Sequence, residues 1–394
     1  HYTIEIAIPF TSLKFTEGST KWRFRPYRWN IQSNEQSTWA RIPQQQRLSS
    51  LAYMGELNFE RPLGKSRTPF TLIPYLNTLS DKDYITDKGN SDFKGGGVAK
   101  VSIGNGMNRD ITFNPDFSNV EVDDIFTNLT RFELRLPEKR QFFIDNSDLF
   151  ENFGNSFNEA KPFFSRRIGL ARDANGNLIQ NDIIGGVRLS GNLNKNWRLG
   201  LLNLQTTKDE ANEIVSNNNM MLALQRKGGK SNNIVVIWVN RQATGDEDYI
   251  DTSENYNRVI GADYNLASAD DIWNGKFYLH KSFQPGDHKG NLSSQATFTY
   301  SPRRWSIIQD LVYIDEDFRA DLGFVPRRDV LKWGNGVQRI FYPKKGSFNT
   351  HGVRFLSIIY WRPSLDYKMT DHTYSINWEM ALKNQATAEA TFSN

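Results

Sequence analysis

The sequence contains no cysteine and only five histidines in 394 residues. The first absence removes disulfides and thiolate metal ligands. It also fits an envelope protein that avoids mispaired thiols. The histidines (His1, His280, His288, His351 and His372) form no i,i+4 pair and no zinc-type spacing, so no metal centre is expected. No stretch reaches about 18 apolar residues, which excludes a transmembrane helix but not a β-barrel, whose strands are only half apolar. Dense Lys/Arg runs are missing as well. With 48 basic and 44 acidic residues the charge is +4, and nucleic acid is not an expected partner. No signal peptide is seen, and the chain opens directly on an alternating "HYTIEIAIPF". Both ends read as cuts, so a portion of a longer precursor is expected.

Nucleotide and hydrolase motifs also fail. "GGKS" (228–231) lacks the earlier glycine of a phosphate loop, because that position is Leu224. No Gly-x-Ser-x-Gly elbow occurs. The oxygen-rich stretches 81–92 and 245–255 lack the spacing of a calcium loop and are expected to be solvated loops. No cofactor is expected.

Aromatic residues, by contrast, make up 13% of the chain and include ten Trp. That load suits large β-surfaces, sugar-binding faces or the aromatic belts of a membrane barrel. Residues 1–62 read as the last strands of a β domain, with Tyr2, Ile4, Ile6 and Ile8 alternating against Thr3, Glu5 and Ala7. Two strand candidates lie in 68–110, around the polar stretch 81–92. Residues 111–182 are irregular, and a run of that length implies a functional or enclosed segment. From 183 onward, strands of about ten residues repeat. In "HTYSINWEMAL", Tyr374, Ile376, Trp378, Met380 and Leu382 oppose Thr373, Ser375, Asn377 and Glu379. In "RVIGADYNLA", Ile260, Ala262, Tyr264 and Leu266 oppose Gly261, Asp263 and Asn265. Sandwich strands run nearer five or six residues, whereas strands of about ten residues cross a tilted bilayer core.

The irregular stretch carries a recognisable pattern. "NPDFSNVEVDDIFTNLTRFELRLPEKRQFFIDNSDLF" (114–150), followed by "PFFSRRIGL" (162–170), closely resembles an uncharacterised family of Gram-negative envelope proteins. Its members pair an N-terminal domain similar to family 9 carbohydrate-binding modules with a C-terminal outer-membrane β-barrel. "AIPFTSLKF", with Trp22, Asn34, Glu35 and Trp39, resembles the end of the first domain, and "DFRADLGFVPRRD" (317–329) a barrel segment. The resemblance implies that most of the binding-like domain is missing from this sequence. The resemblance implies an all-β chain: residues 1–62 end a carbohydrate-binding-like β-sandwich, and 63–394 form an antiparallel transmembrane barrel in the outer membrane. Within that barrel 111–170 would be a plug-like lumenal segment.

The expected site residues follow. Trp22, Trp29 and Trp39 could stack on sugar rings, or else pack the β domain. Asp116, Glu121 and Asp123 sit near Glu138, Lys139, Arg140, Arg166 and Arg167. Paired acids could serve glycoside hydrolysis, but sequence spacing does not give their separation. Structural ion pairs inside a lumen of lower dielectric are the favoured reading. The expected partner is the lipid bilayer, with a glycan and other outer-membrane proteins as further candidates. The leading function is glycan or other envelope-substrate handling or transport. A structural subunit of a larger secretion or assembly complex is the second, and a hydrolase the third.

Overall fold

A strand with period-two patterning presents two chemically different faces, so its pairing must place one face inside and the other outside. In the computed structural model these stretches join one large antiparallel sheet. The structure describes all residues except 1–2, 11–12, 14, 34, 44–45, 47, 65–69, 84–87, 105, 116–126, 128–131, 158, 174, 230, 246–247, 250–251, 287–289 and 385, together with the side chains of 79, 81, 83, 88, 90 and 92.

Four short strands come first. β1 (Lys21–Phe24) pairs with β4 (Gly55–Asn58), and β2 (Tyr27–Asn30) pairs with β3 (Glu35–Thr38). Next come β5 (Phe70–Asp83), β6 (Lys88–Ile103) and β7 (Met107–Phe113). The single-turn helices α1 (Gln141–Ile144) and α2 (Asp148–Glu151) follow, then a small hairpin of β8 (Leu170–Arg172) and β9 (Leu178–Gln180). The remaining strands are β10 (Ile183–Asn192), β11 (Trp197–Thr206), β12 (Asn217–Gly228), β13 (Asn232–Ala243), β14 (Tyr256–Ala267) and β15 (Trp273–Phe283). After them come β16 (Leu292–Tyr300), β17 (Trp305–Ile314), β18 (Val330–Phe341), β19 (Phe348–Arg362), β20 (Lys368–Leu382) and β21 (Thr387–Ser393).

Among the described residues fifteen strands share the large sheet, in chain order from β5 to β21 with only β8 and β9 left out. β7 therefore pairs with β10, across the whole of 114–182. Two sequence expectations need adjustment. Strand β7 lies partly inside the stretch read as irregular. The polar stretch 81–92 is mostly the continuation of a long β5–β6 hairpin rather than a loop. Hairpin pairing carries polar residues along when they lie beyond the region that must be apolar.

The two ends of the sheet differ. At one end every connection has three to six residues (104–106, 193–196, 229–231, 268–272, 301–304, 342–347 and 383–386). The longer hairpin connections, 207–216, 244–255, 284–291 and 315–329, all lie at the other end, as does 114–182. The N-terminal strands dock at the short-turn end. There Tyr53 OH donates to the Asp270 carbonyl at 2.7 Å, and Ser50 Oγ to Asp271 Oδ2 at 2.9 Å.

The core sits between one face of the sheet and the segment around α1 and α2. Phe142, Phe143, Leu149, Phe150, Phe153 and Phe163 are buried against Leu202, Met221, Ile237, Val259, Val312 and Val330. Each such aromatic contributes roughly 1.5–3 kcal/mol by leaving water. The approach is close: a Cβ on Gly200 of β11 would stand 2.9 Å from the Leu149 carbonyl. The same segment bonds to Lys100 on β6 and Tyr360 on β19, so the sheet between them curls around it.

The outer face is apolar. On β13, Ile234, Val236 and Trp238 are 47%, 53% and 39% exposed, while Val235, Ile237 and Val239 are at most 2% exposed. Elsewhere the inner positions are polar: Asp263, His280, Ser293, Gln295 and Asp310 are buried. On β20, Ile376 is 53% exposed and its neighbour Asn377 only 8%.

Candidate functional site

The "PEKRxFF" and "SRR" stretches meet in a charged latch. A guanidinium presents its donors as a rigid fork that matches a carboxylate. Arg140 Nε donates to Glu138 Oε1 at 2.8 Å and Nη2 to Oε2 at 2.7 Å. Its remaining donors reach the carbonyls of Ile168 and Ser165, both at 2.8 Å. The guanidinium also lies over the Phe143 ring at 4.3 Å. Ser165 Oγ stands 2.6 Å from both Glu138 Oε2 and Glu151 Oε1. Burial pushes the Glu138 carboxyl up, but the Arg140 bonds and charge, with Ser165, outweigh it and hold it below the usual range.

Further anchors tie the segment to the sheet. Arg188 on β10 is fully buried between Asp110 Oδ2, at 3.5 Å, and the carbonyls of Phe143 and Asp145. Lys100 pairs with Asp145 at 2.8 Å. Asp263 accepts the Gly154 N–H at 2.8 Å and lies 2.7 Å from His280 Nε2. Lys332 pairs with Glu159 at 2.8 Å and with Asp310 at 3.1 Å. Lys161 differs from these. It is buried, and its ammonium makes no hydrogen bond or ion pair among the described residues. Burial, helped by the nearby cations of Lys276 and Arg135, pushes that ammonium down to about 7.

A cleft of about 610 Å³ opens at the long-loop end, between the segment 165–182 and the loops 207–216, 244–255 and 315–329. It is lined by five arginines (Arg167, Arg172, Arg241, Arg319 and Arg328) and three acids (Glu213, Glu254 and Asp321). Asp321 is shared between two guanidiniums: Arg241 Nη1 at 2.9 Å and Arg319 Nε at 2.6 Å. Arg167 donates to Glu133 at 2.6 Å and to the Gly323 carbonyl at 2.9 Å. Arg328 is exposed and has no hydrogen bond or ion pair with the described residues. Thr206, Asn217 and Asn219 project from β11 and β12 to form a polar floor.

Residues 67–394 match the family described as Domain of unknown function (DUF5916). The chain belongs to this family. Neither a curated protein nor a solved structure matches it. The DUF5916 match thus covers the whole large sheet and leaves β1–β4 outside.

Within this DUF5916 domain the expected charge network is partly assembled. Glu138 and Arg140 form the latch. Lys139 takes part through its backbone N–H, 3.1 Å from Glu138 Oε1. Arg166 donates to the Pro137 carbonyl at 2.7 Å, and Arg167 lines the cleft. Asp116, Glu121 and Asp123 lie outside the described residues. Of the expected sugar-stacking residues, Trp22 is packed edge-on against Phe59 at 5.0 Å and Phe10 at 5.9 Å. That contact fits the packing alternative. Trp29 and Trp39 are 58% and 60% exposed. Among the described residues no cluster of three or more His, Asp or Glu side chains could hold a metal.

Sequence reasoning missed the wall partners Asp110, Arg188, Asp310 and Lys332, and the cleft arginines 241, 319 and 328. A signal existed for the first group, namely a charge on the polar parity of an otherwise apolar strand. For the cleft there was none, because four separate loops build it.

Proposed function

We propose that this DUF5916 protein is an outer-membrane β-barrel with its lumen filled by residues 140–168, handling glycans or other envelope substrates at its long-loop mouth. One observation carries the reading: the sheet exposes an apolar row on one face, while its other face covers the segment around α1 and α2 with apolar side chains and a set of buried polar ones. In water the exposed row Ile234, Val236 and Trp238, continued by Ile260, Leu279, Leu311, Val353 and Ile376, would be a large sticky surface. Against lipid tails it costs nothing, and the inward polar groups bond to one another and to the enclosed segment. Aromatics support this. Trp197, Trp273, Tyr300, Trp305 and Phe341 gather near the short-turn end, as in an interfacial belt. Arg226 and Arg339 lie over Trp197 and Trp305 at 5.7 and 4.5 Å. Short turns on one side and longer loops on the other match periplasmic and extracellular ends.

Residues 1–62 then sit on the periplasmic side, as the end of a carbohydrate-binding-like domain. The exposed aromatic surface of Trp29 and Trp39 suits the apolar face of a sugar ring. Spin labels placed singly from Thr373 to Trp378 in reconstituted protein test the reading. Labels at 374, 376 and 378 are expected to be reached by oxygen from the lipid, and those at 375 and 377 to be shielded from it. A uniform response along β20 would defeat it.

A further inference from the structure

Three turns at the short-turn end carry positive charge that no acid balances. Arg303 and Arg304 lie in 301–304, Lys344 and Lys345 in 342–347, and Lys383 opens 383–386; none of these turns holds an Asp or a Glu. The turns touch one another. Tyr342 OH donates to the Arg303 carbonyl at 2.9 Å, and the Lys383 N–H to the Ser347 carbonyl at 2.8 Å. All five residues are exposed, and none makes an ion pair with the described residues. This surplus is local, since the long loop 207–216 holds Asp209, Glu210 and Glu213 against Lys208 alone. Acids on the flanks are committed elsewhere. Asp271 accepts from Ser50 at 2.9 Å and Asp270 from Ser268 at 2.5 Å. Glu379 shares the inward side of β20 with Asn377 and pairs there with Arg354 at 3.7 Å.

Arg339 joins this charge to the apolar face. It lies on the outer side of β18, in alternation with Trp333 and Phe341, which are 45% and 40% exposed. Trp305 stands opposite it in the register. Its guanidinium covers Trp305 at 4.5 Å and Phe341 at 5.6 Å, and has no hydrogen bond or ion pair with the described residues. Arg303 lies likewise over Tyr342 at 4.9 Å. A guanidinium held over a ring keeps its N–H donors free, and their fork matches a phosphate. The outward positions of β17 and β18 hold no acid that could take them. A free anion would neutralise these cations but leave the adjoining Trp333, Val353 and Phe355 uncovered. One molecule that carries both a phosphate and hydrocarbon answers both.

We infer that the short-turn rim of β17–β19 binds an anionic phospholipid. Its phosphate lies among Arg339, Arg303, Lys344 and Lys345, and its acyl chains run along the outer face towards Trp333 and Phe355. The inference deepens the barrel reading and rests on it for placing that face in lipid.

Native mass spectrometry of the detergent-purified protein tests it, with phosphatidylglycerol, phosphatidylcholine, glycerol 1-phosphate and polyglutamate as probes. Phosphatidylglycerol is expected to bind about tenfold tighter than phosphatidylcholine, whose charge is zero overall. Equimolar glycerol 1-phosphate or polyglutamate should not displace it. Arg339→Gln should weaken phosphatidylglycerol about fivefold, and the exposed pair Lys344→Gln and Lys345→Gln by at least as much. Arg328→Gln, which removes the same charge at the long-loop end, should change nothing. Equal affinity for the two lipids, or equal weakening in Arg339→Gln and Arg328→Gln, would overturn the inference. So would displacement by glycerol 1-phosphate, the mark of a plain anion site, or by polyglutamate, the mark of an acidic protein partner. The barrel is scored separately on the same preparations by heat-shifted mobility in gel electrophoresis. A missing lipid preference with that shift intact refutes the lipid site alone, whereas an absent shift refutes the barrel reading and the site with it.

Discussion

Replacing Lys161 with methionine should stabilise the protein and flatten its stability profile between pH 7 and 9. Lys161 lies in the enclosed segment, outside the strands, where its backbone exchanges bonds with Phe324 at 2.8 and 2.9 Å. Its ammonium is buried and unpaired among the described residues, which pulls it from 10.5 to about 7. An ammonium with a lowered value binds its proton less readily in the folded chain than in the unfolded one. Between about 7 and 10.5 the unfolded state therefore holds more protons, and stability rises with pH. Below 7 both states are charged and the full cost is present, on the order of 4 kcal/mol. From pH 7 to 9 about half of it, roughly 2 kcal/mol, should be recovered. Methionine keeps much of the length and removes the charge. Urea unfolding in detergent, followed by tryptophan fluorescence, gives both profiles. Subtracting the variant cancels every other titrating group. Parallel profiles from pH 7 to 9 would refute the reasoning, because Lys161 would then be as well solvated folded as unfolded.

Glu138→Gln leaves Arg140 half-paired in a largely buried site and should cost about 3–5 kcal/mol, read as a lower urea midpoint. Because the Glu138 carboxyl is held low, its contribution is present above the unfolded value of 4.5 and fades as the pH falls through the folded one. The variant should therefore lose less stability on acidification than the wild type. Ile376→Arg, on the outer face of β20, should cost about 2–4 kcal/mol in bilayers if it lies near the midplane. Asn377→Ser, one residue away and facing inward, should cost much less in the same refolding assay.

Much of the sheet was legible because period-two patterning is local. Tyr374, Ile376 and Trp378 against Ser375 and Asn377 can be read without knowing any neighbour. Strand β7 was missed because "MNRDITF" holds Arg109 and Asp110 at its centre, and charges read as loop. Asp110 belongs there because Arg188 stands opposite it in the register on one side and Lys100 on the other. Glu138 and Arg140 are close in sequence and can be named together as charges, but the latch's third member, Ser165, is 27 residues from Glu138. The cleft depends on loops whose approach is set by the curl of the sheet, a property no single stretch encodes.

The connection from β7 to β10 sets an order of assembly. Every other neighbouring pair in the large sheet is a hairpin between consecutive strands, which forms with little loop-closure entropy. Residues 114–182 must instead be gathered before β7 and β10 can meet. The segment they contain also bonds to β6, β14, β18 and β19. In the proposed barrel, a segment left outside once the late strands have wrapped would have no route in. In that barrel the segment would act as a mandrel, captured by the early strands while the later ones wind around it. A chain whose latch forms slowly would accumulate as an unwound sheet, with its apolar outer face already formed and its polar inner face still wet.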